Sequence, residues 1–285
     1  MSTYYYLVAG LSELSLEDGK LNYSILDFKR EIYPELSDSD KRLIDLFYLK
    51  FDNDNLLKLI EDREAVADLK GNFTSEELSS IILAAKEGDD AEDKRYPVYF
   101  SRFLVDYFLN DQDELFRVED LLSAYYFDYA MKCRNRFIAS WFEFSMNVNN
   151  ILLAFSLRKY KQEIAPFIIG ENDVSQLLRK STARDFGLSS ELSYFEELLR
   201  ISEVENLVER ERKTDLLKWK WMEEASFFDY FTIERIFVFL LQLEMVERWV
   251  SLDRERGMEM FRQIIKTLKD ELQLPKEFIA PKSGG

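Results

Sequence analysis

Residues 136–161, RFIASWFEFSMNVNNILLAFSLRKYK, carry apolar side chains around most of a helical circumference. At 100° per residue, Phe137, Trp141, Phe144, Val148, Ile151 and Phe155 fall on one stripe in alternating steps of four and three, which is a packing seam for a neighbouring helix. Phe142, Met146, Leu153, Leu157 and Tyr160 add a second apolar flank. A helix so apolar belongs inside, so the rest of the chain must surround it with other helices. One strip stays polar: Arg136, Ser140, Glu143, Asn147, Asn150, Arg158 and Lys161, with Ala154 among them. These groups share one environment, and the simplest expectation is solvent, with an internal polar network or a partner-facing cavity as alternatives. Glu143 must reach water or a cation, since an unpaired buried carboxylate costs several kcal/mol.

The rest of the chain agrees with a helical class. It has 285 residues with only 9 Gly and 5 Pro, too few turn formers for many short strands, and 23 Phe with 15 Tyr to fill helix interfaces. Ser37 with Asp40, and Thr74 with Glu77, have the spacing of reciprocal helix caps. KEGDDAED, residues 86–93, reads as a solvated acidic loop without the spacing of a calcium-binding hand. Further breaks are expected at 168–175 and at ARDFGLSSEL, where Gly187 ends one helix and Ser189 or Ser190 starts the next; Gly257 is expected to end the helix before it, and APKSGG to be a frayed tail. Only TYYYLVAGL near the start has strand character, and it is expected to pack against the bundle as an extended or helical segment.

Several function classes are excluded by composition. The chain has no histidine, which removes Ser/His/Asp and Cys/His catalysis and histidine metal sites. Its DFG tripeptide is not a kinase signature, since no catalytic-loop histidine or glycine-rich phosphate loop accompanies it. A formal net charge of −16 makes nucleic acid a poor partner and favours basic protein partners. The single Cys133 cannot form an internal disulfide, and a small buried thiol in a reducing compartment is expected. No apolar run reaches the roughly 18 residues of a membrane span, and the N-terminus does not read as a signal peptide, so a cytoplasmic protein is expected.

Three windows have a common pattern: FDNDNLLKLI from 51, MNVNNILLAF from 146 and LEMVERWVSL from 243. Each places a polar pair three residues apart inside an apolar frame: Asp52 and Asn55, Asn147 and Asn150, Glu244 and Glu247. The near-equal spacing suggests three related helical units, approximately 1–95, 96–187 and 188–285. In the third window, Glu244 and Arg248 also have the order of a favourable i,i+4 pair.

At these windows, together with YYYLVAGLSEL, NVNNILLAFSLRKY, ARDFGL and FTIERIFVFLLQLEMVERWVSLDRERG, the chain resembles the C-type (also called d-type) stalk-to-ring family of V-type and A-type rotary ATPase components. It resembles more closely an uncharacterised bacterial family taken to be a shortened relative of that component. The resemblance implies an all-α helical bundle of three related subdomains arranged as a funnel. It also implies a non-catalytic role, coupling the central stalk of the V-type ATPase to the membrane rotor ring during proton or sodium transport, from the cytoplasmic face of the membrane. No cofactor, metal or small-molecule substrate is expected. Asp52, Asn55, Glu143, Asn147, Asn150, Arg158, Glu244 and Glu247 are the expected structural or partner-facing positions. The alternatives are a free-standing helical scaffold or regulator that binds a basic helix, and an enzyme using Glu223 and Glu224 beside Trp219 and Trp221.

Overall fold

A computed structural model describes residues 3–88, 93–109 and 118–271. Among them are eleven α-helices, two single-turn 3-10 helices and no strand, so the chain is all-α. The helices are α1 (Tyr5–Ala9), α2 (Ile25–Glu31), α3 (Asp38–Glu61), α4 (Ser75–Lys86), α5 (Val98–Leu109), α6 (Val118–Met131), α7 (Arg136–Lys159), α8 (Asp173–Lys180), α9 (Phe195–Ser202), α10 (Leu207–Ala225) and α11 (Ile233–Glu271). No helix among the described residues is long and apolar enough to cross a membrane.

Local caps start several of these helices. Thr74 and Glu77 form the full reciprocal box, with Thr74 N donating to Glu77 Oε2 at 2.8 Å and Glu77 N to Thr74 Oγ1 at 3.2 Å. At α3 only half of the expected box forms. Ser37 Oγ accepts from Asp40 N, but the Ser37 N–H donates to the Tyr4 hydroxyl at 3.2 Å, and Asp40 instead accepts from the hydroxyls of Ser37 and Tyr4. A residue from the N-terminal segment thus completes the cap.

That segment is helical at its centre, contrary to its strand-like composition. Val8 N donates to Tyr4 O at 2.9 Å, and Tyr4 N to Phe231 O at 2.8 Å. With no strand to pair with among the described residues, its backbone closes local turns, and Tyr4 N finds its acceptor on the distant Phe231. Two glycine expectations also fail. Gly187, at φ +76°, sits in a turn after α8 has already ended at Lys180, and α9 begins only after Tyr194, so neither Ser189 nor Ser190 starts a helix. Gly257 lies inside α11, where it tolerates the right-handed conformation at a cost of about 1 kcal/mol relative to alanine. Residues 89–92 of the acidic loop and the APKSGG tail lie outside the described residues.

The predicted seam of α7 is a packing surface. Phe144 stacks on Trp221 of α10 at 4.7 Å between ring centroids, with Phe137 and Trp141 each 5.8 Å from the same indole. Further along, Phe155 meets Phe186 and Phe195. On the other flank Phe142 reaches Tyr126 of α6 and Phe237 of α11. Each fully buried ring of this kind contributes about 2–3 kcal/mol of apolar burial, so the seam holds α7 firmly among its neighbours.

Candidate functional site

The polar strip of α7 is covered along much of its centre by the segment that follows the helix, while Ser140, Glu143 and Asn147 also border a surface cavity. Asn150, only 2% exposed, clamps one residue of the segment that follows the helix: its Oδ1 accepts from Ile169 N at 3.2 Å and its Nδ2 donates to Ile169 O at 2.8 Å. One turn earlier, Asn147 Oδ1 accepts from Asn172 Nδ2 at 2.9 Å, and Asn172 is the residue that caps α8 through Ser175 N. Glu143, exposed, accepts from the same Asn172 amide at 3.0 Å while also reaching water. Arg158 donates to Ala183 O and Arg184 O at 2.8 and 2.7 Å and lies 3.6 Å from the centre of the Phe186 ring. Burial pushes its guanidinium below the usual arginine range, with Asp185 opposing. The expected solvent strip therefore holds for the ends, at Arg136, Ser140 and Lys161, but its centre anchors a loop. Burying those amides is tolerated because each finds a partner.

The same device stands on α3. Asn55, fully buried, accepts from Asp68 N at 2.7 Å and donates to Asp68 O at 3.0 Å. Asp52, also fully buried, accepts from Asn72 N, Asn72 Nδ2 and Phe73 N at 2.9, 2.9 and 3.0 Å, just ahead of the Thr74 cap of α4. In both copies the second member of the pair grips both backbone groups of one loop residue, and the first holds the entry to the next short helix. Burial raises the Asp52 carboxyl to about 6, although the two backbone N–H groups, the Asn72 amide and Lys29 pull the other way. Glycine is required beside each pair. A Cβ on Gly71 would lie 2.4 Å from Asp52 Oδ1, and one on Gly170, at φ +80°, 2.5 Å from Met146 Sδ.

The third pair binds differently because α11 continues past it without a following loop. Glu247 Oε2 accepts from Ile25 N at 3.0 Å, at the start of α2, and its Oε1 pairs with Lys70 at 2.6 Å. Here too a member of the pair holds the entry to a short helix, but that helix lies 222 residues earlier in the chain. Glu244 pairs with Lys50 of α3 at 2.6 Å. The expected i,i+4 pair is not formed, since Arg248 reaches across to Asp215 of α10 instead. Asp215 is buried and also accepts from Trp249 Nε1 at 2.7 Å, and it takes Arg248 while Glu244 is held by Lys50.

These contacts line a cleft of about 530 Å³ between α3, α6, α7, α10 and α11. Trp141 and Phe142 form part of its apolar wall, and Lys50, Lys218, Arg248, Glu211, Asp215 and Glu244 are its charged groups. Burial pushes the Glu244 carboxyl up, but Lys50 first, then Arg248 and Lys218, hold it below the ordinary glutamate range. Asp215 stays raised by burial despite Arg248. Lys218 Nζ donates to Asn149 Oδ1 at 3.1 Å, and burial lowers its ammonium pKa against the pull of Asp215 and Glu211. With two cations already paired, Lys218 is the cleft's available donor for an incoming acceptor. Sequence reading missed Lys50, Asp215 and Lys218, and no pattern marks them: Lys50 is one charge among many on α3, and Asp215 and Lys218 are two among many on α10.

The carboxylates proposed for an enzyme do not converge. Glu223 accepts from Trp219 Nε1 at 2.8 Å, and Glu224 faces Lys220 at 4.0 Å on the exposed side of α10. Cys133 is half-buried, donates to Asn135 O at 3.3 Å, and is raised by burial, as expected of an unreactive thiol. No group of three His, Cys, Asp or Glu among the described residues could hold a metal ion. A family model described as a protein of unknown function (DUF2764) matches residues 1–272. No curated protein and no solved structure matches the chain.

Proposed function

Since the chain belongs to this family of unknown function (DUF2764), we propose from its geometry that it is a non-catalytic coupling component of a V-type or A-type rotary ATPase. In this reading it is built of three related units arranged as a funnel. The observation that carries it is the repeated polar pair on the long helices α3, α7 and α11, each holding the entry to a short helix, with all three long helices bordering one cleft. The third unit would borrow its short helix, α2, from the start of the chain, closing the bundle on itself. A cleft with apolar walls and a set of charges suits the tip of a helical shaft, and torque transfer needs this rigidity and no chemistry. Purification of the native protein tests it: the reading expects stalk or rotor-ring proteins to accompany it in stoichiometric amount, and a lone monomer would sink it.

A second reading, a free-standing scaffold that binds a basic helix, is favoured by one feature. Tyr5, Tyr6, Phe227, Phe228, Tyr230 and Phe231 are exposed together where α1 meets the α10–α11 corner, with Tyr6 at 95% and Phe228 at 84%. Residues 221–234 contain Glu223, Glu224, Asp229 and Glu234 but no lysine or arginine. An aromatic patch with acidic neighbours suits a cationic amphipathic helix. Gene neighbours unrelated to ion transport would favour this reading over the first.

A further inference from the structure

A second cavity, of about 870 Å³, opens between α3, α5, α6 and the turn that joins α6 to α7. Three arginines from three different elements border it: Arg42 from α3, Arg102 from α5 and Arg134 from the turn. Among the described residues none of the three takes part in an ion pair or a hydrogen bond, although the chain carries 54 carboxylates against 38 cations. Several acidic groups on the neighbouring elements carry other contacts. Asp40 accepts from Tyr4 and Ser37, Asp128 pairs with Lys132 at 2.6 Å, and Asp106, one turn along from Arg102, accepts from the Tyr125 hydroxyl. Asp45, one turn along from Arg42, accepts from the Tyr33 hydroxyl at 2.6 Å. The cavity is bordered by four cations, Arg42, Arg102, Lys132 and Arg134, and two carboxylates, Asp40 and Asp128, so in a protein of net charge −16 it is a local site of net positive charge. The inner wall is aromatic, with the half-buried rings of Tyr125 and Tyr129 beside Tyr99.

We propose that this cavity binds a phosphorylated small molecule, its phosphate oxygens held by the forks of Arg42, Arg102 and Arg134 and its planar body against Tyr125 and Tyr129. Planar guanidinium forks match phosphate oxygens two at a time, and an aromatic floor rewards a ligand with a flat apolar part. The volume lies in the range of small-molecule sites. The ligand would bridge α3 and α5 to the start of α7, so its binding would stiffen the junction between the first and second parts of the chain. The inference stands apart from the cleft and from the proposed coupling role.

Calorimetric titration of the full chain with ATP, tripolyphosphate and adenosine at fixed ionic strength tests it. ATP is expected to bind with a dissociation constant below about 1 mM, tripolyphosphate more weakly and adenosine not measurably. Arg102→Ala and Arg134→Ala should each weaken ATP binding at least about 10-fold, and Arg→Lys at the same sites by several-fold, because an ammonium keeps the charge but loses the fork. All three arginines are exposed, so far-UV circular dichroism should be unchanged in the variants. Lys218→Ala, in the other cleft, should bind ATP as the unaltered protein does. Absence of binding at about 5 mM ATP would overturn the proposal. So would unchanged affinity in the triple alanine variant, loss of binding in Lys218→Ala, or equal competition by sulfate.

Discussion

Replacing Asn55 and Asn150 by alanine, one at a time, should give unequal losses of stability although the two amides look alike. Asn150→Ala removes the acceptor of Ile169 N, but Ile169 O keeps a second donor, Ser175 Oγ at 2.9 Å. One backbone N–H, that of the half-buried Ile169, is orphaned, at about 1–3 kcal/mol. Asn55→Ala removes both partners of Asp68, whose N–H and C=O have no other protein partner among the described residues except a turn contact from Gly71 N to Asp68 O at 3.2 Å. The orphaned N–H and the weakened C=O, partly reachable by water because Asp68 is only half-buried, cost about 2–4 kcal/mol. The expected order is therefore Asn55→Ala worse than Asn150→Ala by about 1 kcal/mol. Urea unfolding followed by circular dichroism at 222 nm measures both, and the two losses should add in the double variant, since the loops have no common partner. Native-state hydrogen exchange should show the Asp68 amide exchanging faster in Asn55→Ala only. Equal losses, or a larger one for Asn150→Ala, would refute the account of the clamp.

Asp52 sets a pH dependence. Its folded carboxyl, at about 6, lies above the ordinary 3.8, so the fold holds a proton more tightly than the unfolded chain does. Stability from this group is full below about pH 4 and falls by about 3 kcal/mol as pH rises to about 6, then levels off. The stability of the unaltered protein minus that of Asp52→Asn should decline across this window; a flat or rising difference contradicts the burial argument. Gly71→Ala should lose more than about 2 kcal/mol, because the new methyl must push Asp52 off the N–H groups of Asn72 and Phe73. Thermal unfolding checks it, and retention of the original melting temperature would count against the close approach. Gly170→Ala should be partly rescued by Met146→Ala, which relieves the contact but leaves about 1 kcal/mol of backbone strain at positive φ. In the cleft, a double-mutant cycle on Lys50→Met and Glu244→Gln should give a coupling of about 1 kcal/mol, limited by the partial exposure of Lys50. No measurable coupling would mean the pair does not tie α3 to α11.

The three polar pairs were visible in the sequence because each interrupts an apolar frame at helical spacing, a pattern that local geometry alone produces. The partners of those pairs were not visible. Asn150 grips Ile169 and Asn55 grips Asp68 through backbone groups, which every residue carries and no letter marks. Solvent was the natural expectation for the α7 strip, since an amide on a helix surface looks the same whether water or a loop lies over it. The charged cleft was hidden for a related reason: Lys50, Asp215 and Lys218 each read as an ordinary surface charge until the fold brought their helices together.

What the sequence determines by itself is the all-α class, the packing seam of α7 and the capping box at Thr74, all set by side chains within a few turns of one another. Tertiary structure decides the rest. It supplies Tyr4 to complete the cap at Ser37, draws Arg248 from Glu244 to Asp215, and sets Glu247 against Ile25 across 222 residues. Helical periodicity reports which face of a helix is apolar. The identity of what covers that face follows only from chain closure, which places distant backbone N–H groups within hydrogen-bond reach.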